Sequence, residues 1–118
     1  MHFLQRRVRG WDDSETWCLA TQHAEWFLPR LQRFREISIA YVPSPEMLAP
    51  EFLALPKAEQ CRIQGNAIAD WDQKLVQMIE GFALIAREDG ARIWEDKERS
   101  KVERALALYR EHYFDLWW

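Results

Sequence analysis

A chain of 118 residues, 48% hydrophobic and 30% charged, reads as one globular domain, 1–118, long enough to bury a core; these proportions exclude a disordered polymer. The net charge of −3 argues against a chain built to bind nucleic acid, double-stranded nucleic acid above all. No apolar run approaches the ~18 residues of a membrane span, and MHFLQRRVRG lacks the apolar segment of a signal peptide. A cytoplasmic protein without a membrane partner is the expectation.

The charge is uneven. Residues 1–11 form a basic arm with Arg6, Arg7 and Arg9 and no acid, while residues 67–90 hold Asp70, Asp72, Glu80, Glu88 and Asp89 against Lys74 and Arg87. A first helix is predicted to start at Asp12, an N-cap type, with Glu15 three residues later completing a capping box. Trp17, Ala20, Ala24, Leu28, Leu31 and Phe34 recur at helical spacing. Pro29 interrupts that stripe and predicts a kink between Glu25 and Pro29. Beyond it, Arg30 and Arg33 share a face and Arg35 lies elsewhere.

ISIAYVP (37–43) is extended in character and predicts a short strand without an obvious partner. Residues 37–56 form a proline-rich irregular connection, with Pro45, Pro50 and Pro56 placed to begin short turns. From Lys57 the chain is helical again, with Gly65-Asn66 a potential break. Ile68, Trp71, Leu75, Met78, Ile79, Phe82 and Ile85 make the cleanest stripe, closed by Asp89-Gly90. A last helix is predicted from about Trp94, with Glu95–Arg99 at pair spacing. Val102, Ala105, Leu106, Tyr109, Tyr113, Leu116 and Trp117 fall on its buried side. The fold expected is all-α: a small helical bundle of three long helices with the proline-rich connection between the first two.

Catalytic chemistry finds little to stand on. His2, His23 and His112 lack partners at metal-ligand spacing, although His112 and Asp115 lie one turn apart. No nucleophile elbow or phosphate loop occurs. Cys18 and Cys61 sit in apolar helical contexts and are expected as reduced core thiols. No metal, cofactor or catalytic residue is assigned. Asp12 with Glu15, and Glu95 with Glu98, have the spacing by which all-α nucleotide pyrophosphohydrolases hold magnesium. Capping explains the first pair and a solvated face the second.

Seven tryptophans among sixteen arginines and lysines are the more suggestive feature. Arg6, Arg7, Arg9, Trp11, Trp26, Arg30 and Arg33 form a candidate binding set. Guanidinium groups take phosphate and an indole stacks on a base. The same residue types dominate protein interfaces, and they serve equally as internal staples, with the arginines paired to acids of the acidic helix. Trp117 and Trp118 are expected to dock, in the same subunit or in a neighbour as a homo-oligomer contact.

RGWDDSETW (9–17) with Leu19, FLPRLQRFRE (27–36), WDQKLVQMIEGFALI (71–85) and YFDLWW (113–118) resemble blocks of a group of small helical proteins common in bacteriophage genomes. Residues 37–66 stand outside the likeness. The group brings no catalytic residue with it. It implies a phage or prophage accessory protein of the bacterial cytoplasm, of the kind that disables a host factor or sequesters a host nucleotide signal in immune evasion. The leading expectation is therefore a non-catalytic binder of a host protein or nucleotide. The alternatives are a small magnesium-dependent nucleotide hydrolase using Asp12, Glu15, Glu95 and Glu98, and a structural or assembly component of a phage particle.

Overall fold

The computed structural model describes residues 4, 7, 8, 10, 13, 18–38, 47, 49–87 and 94–116. These are helical nearly throughout, and no strand occurs among them. Helix α1 spans Leu19–Ile37, α2 is the single turn Pro50–Leu53, α3 spans Lys57–Arg87, and α4 spans Asp96–His112, running into a 3-10 turn at Tyr113–Asp115. Among the described residues no helix is long and apolar enough to cross a membrane.

The start of α1 differs from the expectation. Cys18 precedes it in the left-handed region, φ 46° and ψ 52°, and makes no side-chain cap. A non-glycine residue there breaks a right-handed helix, so no continuous helix runs from Asp12 into α1. Asp12 and Glu15 themselves lie outside the described residues. The helix continues through Pro29 to Ile37. It closes on Ser38, whose amide bonds the Phe34 carbonyl at 2.9 Å and whose buried hydroxyl donates to the same oxygen. Ile37 is therefore helical, not the start of a strand, and residues 39–43 lie outside the description.

Pro50 does begin a turn, as the first residue of α2, and Pro56 stands directly before α3, its carbonyl accepting the Gln60 amide at 3.0 Å. Gly65-Asn66 is no break: α3 is one helix of 31 residues. The loss at those two positions, about 1 kcal/mol for the glycine, is small beside the good helix formers on either side. At 1.5 Å per residue α3 is about 46 Å long.

The core lies where α1 and α4 both pack on the second half of α3. One cluster joins Ala24, Phe82, Ile85, Val102 and Ala105, the other Leu31, Trp71, Leu75, Met78 and Leu108. Phe27 and Tyr109 touch both clusters. With Phe82 they form a triad, one ring from each long helix, all edge-on, with centroids 5.0, 5.2 and 5.3 Å apart. Each such pair contributes about 0.5–1.5 kcal/mol beyond the area it buries. α3 and α4 approach closely at Gly81, where a methyl group would overlap the Ala105 side chain and stand 2.8 Å from the Lys101 carbonyl oxygen.

Five residues expected in the core are exposed. Leu106 and Tyr113 are exposed, and Leu108, two residues after Leu106 on α4, is fully buried instead. Ala20 is exposed while its neighbour Thr21 is buried. Cys18 and Cys61 are free and exposed rather than core thiols. Cys18 precedes α1, and Cys61 lies in the first half of α3, which holds no buried residue before Trp71.

Candidate functional site

Residues four apart on a helix share a face, and Trp26 and Arg30 use that spacing on α1. The Arg30 guanidinium lies 4.3 Å from the centroid of the Trp26 ring, and its Nη1 donates to the Trp26 carbonyl at 2.8 Å. Trp26 is 57% exposed, so the stacked pair faces solvent. Pro29 stands between them and supplies no amide to the turn. Among the described residues no carboxylate pairs with Arg30. Arg33 continues the face one turn on, where Glu36 holds it at 3.0 Å. Both of those side chains are exposed, so the pair contributes at most a few tenths of a kcal/mol. Beside Arg30 lies a depression of about 190 Å³ lined by Trp26, Phe27, Arg30, Leu31, Phe34 and Leu116. Among the described residues that line it, the floor is apolar and the guanidinium is the one charged group.

The structure thus brings together Trp26 and Arg30, with Arg33 alongside. Arg7 is exposed, and Arg6, Arg9 and Trp11 lie outside the described residues, as do Trp117 and Trp118. Two of the acids on α3 have partners on the long helices themselves. Arg35 binds Asp72 with two hydrogen bonds, Nε at 2.7 Å and Nη2 at 3.0 Å, and Lys74 holds Asp70 at 3.4 Å. The Arg35 fork holds the Asp72 carboxyl below the ordinary carboxylate value and is itself raised by it. Arg35–Asp72 clasps α1 to α3 beside a second, larger cavity of about 840 Å³, lined by Gln32, Glu36, Gly65, Ile68, Ala69 and Ile79 as well as the clasp. Ile68 and Ile79 of that lining were legible in the sequence as members of the α3 stripe, Gly65 as a potential break and Asp72 as one of the acids of 67–90.

Of the four acids offered for magnesium, Asp12 and Glu15 lie outside the described residues, and Glu95 and Glu98 have other work. Glu98 accepts from the Glu95 amide at 3.4 Å while the Glu95 side chain caps the third residue of α4, a reciprocal capping box. Glu95 is accordingly the N-cap outside α4, not a member of a solvated pair with Arg99. Glu98 also accepts from Arg87 at 2.7 Å, which together with the capping bond lowers its pKa. His112 and Asp115 bond to each other, Nδ1 to Oδ2 at 2.9 Å. The other ring nitrogen, Nε2, is buried 3.7 Å from the Glu111 carboxylate, and neither it nor the buried Trp71 Nε1 makes a hydrogen bond among the described residues; the two rings stand 5.0 Å apart. Burial and the neighbouring Tyr113 push the Tyr109 phenol up. Among the described residues no three His, Cys, Asp or Glu side chains converge to hold a metal.

Comparison of the chain with known families, curated proteins and solved structures finds no match.

Proposed function

We propose that the protein is a non-catalytic accessory protein of phage type that binds a component of a bacterial host's cytoplasm, a protein or a nucleotide signal, and so inhibits or sequesters it. The binding face is Trp26, Arg30 and Arg33 on α1. Three long helices, bundled about the Phe27–Phe82–Tyr109 triad, hold that face rigid.

The observation that carries the reading is Arg30, stacked on an exposed indole and without a carboxylate among the described residues. Exposed Trp and Arg that are already ordered lose little entropy on binding, and these two residue types dominate interface energies. Glu95 and Glu98 being committed to a helix cap and to Arg87 weighs against the hydrolase alternative.

The test is a thermal-shift screen of the wild-type chain and W26A/R30A against nucleotides, with and without magnesium, and against bacterial lysate fractions. A binder at a hundredfold excess over its Kd stabilises by about 2.7 kcal/mol. The proposal expects a shift in the wild type that the double variant loses. Nucleotide turnover with magnesium, or a shift that the double variant retains in full, contradicts it.

A further inference from the structure

Two quantities at the α1 face narrow the chemistry of its ligand. The first is volume. The depression beside Arg30 holds about 190 Å³, whereas pockets for small molecules run from about 300 to 1,000 Å³. The depression is too small to enclose a nucleotide but matches one large apolar side chain, which the floor of Phe27, Leu31, Phe34 and Leu116 suits. The second is charge. Arg30 forms part of the wall, and only one of its N–H donors is committed, to the Trp26 carbonyl. The rest of that planar fork matches a carboxylate. Stacking on Trp26 fixes the plane of the fork before any partner arrives, so little rotamer entropy remains to be lost. Arg33 offers a second cation one turn along, through an exposed and weak pair with Glu36.

We infer that this face docks an acidic protein segment: one large apolar side chain seated between Trp26 and Leu116, with an Asp or Glu within a turn of it bound to Arg30. The inference rests on the partner-binding reading above and names the chemistry of the partner.

The experiment is selection from a displayed library of random peptides on the full-length chain, and in parallel on R30E and W26A. Both substituted side chains are outside the core, so the variants fold, and circular dichroism melts verify it. The wild type is expected to enrich peptides in which Leu, Phe, Met or Trp is flanked by Asp or Glu. A selected peptide is expected to bind W26A or R30A about tenfold or more weakly, the loss typical of removing an anchor. R30E is expected to enrich Lys or Arg flanks instead. Peptides that depend on Trp26 but show no acidic preference, or an R30E selection with unchanged flanks, overturn the acidic-segment inference and leave the binding face standing. Binding of ATP at this face more tightly than any selected peptide overturns it in favour of a nucleotide. Self-association of the free chain that R30E abolishes overturns it in favour of a second copy. Selected peptides indifferent to both W26A and R30E overturn the inference and the face together.

Discussion

Two glycines on α3 make the closest internal test of this packing. At Gly81 an added methyl overlaps the Ala105 side chain and stands 2.8 Å from the Lys101 carbonyl oxygen, while at Gly65 it meets nothing within 4 Å. Ordinary contacts between carbon atoms settle near ~3.5–4.0 Å, so Gly81→Ala must part α3 from α4 by on the order of 1 Å. One of the obstructing atoms is backbone and cannot rotate away. Overpacking of this kind costs about 1–3 kcal/mol, and alanine returns about 1 kcal/mol of helix propensity. With the clash at the upper end, the net loss is about 2 kcal/mol, or about 6–10 °C in Tm for a domain of this size. Gly65→Ala has the propensity gain without the clash and is expected to stabilise by about 0.5–1 kcal/mol. Urea titrations and thermal melts of the two variants, run side by side, read the difference of about 3 kcal/mol. If both alanines shift stability in the same direction by similar amounts, the close approach of α3 and α4 at Gly81 is wrong.

Asp72→Asn removes the clasp between α1 and α3. The folded pKa of Asp72 is lowered by Arg35, so its contribution is fully present above the ordinary value of 3.8 and is lost as pH falls below that toward the depressed folded value. Because both side chains are 43% exposed, the bidentate pair contributes about 0.5–1 kcal/mol at neutral pH; urea midpoints of wild type and D72N are expected to differ at pH 7 and to converge in acid. Phe82→Ala removes the α3 ring of the aromatic triad and is expected to cost about 3–5 kcal/mol by calorimetry.

Much of α3 and α4 was legible because a long amphipathic repeat carries its own phase. Trp71, Leu75, Met78, Phe82 and Ile85 needed no knowledge of their neighbours to be placed inside. Leu108 escaped because Leu106 satisfies the spacing from Val102 as well as Leu108 satisfies it from Ala105, and only the position of α3 decides between them. Cys61 looked buried because its surroundings are helical, yet burial needs a facing helix, and the core starts ten residues later at Trp71. The true start of α1 was hidden behind a plausible capping box, since a left-handed Cys18 leaves no mark in composition. Of the candidate face, the four-residue step from Trp26 to Arg30 is visible in the sequence. The absence of a carboxylate partner for Arg30 among the described residues is not, because it depends on how the helices pack and where that packing sets their acids.

Amide chemical-shift mapping shows directly which surface meets the partner. The two candidate surfaces are the small depression beside Arg30 and the larger cavity between α1 and α3. Titration of the isotope-labelled chain with a selected peptide is expected to move the Trp26 indole signal and the amides of Arg30, Phe34 and Leu116, while Gly65, Ile68 and Ala69 stay in place. Shifts concentrated at Gly65, Ile68 and Ala69, with Trp26 unmoved, contradict the account.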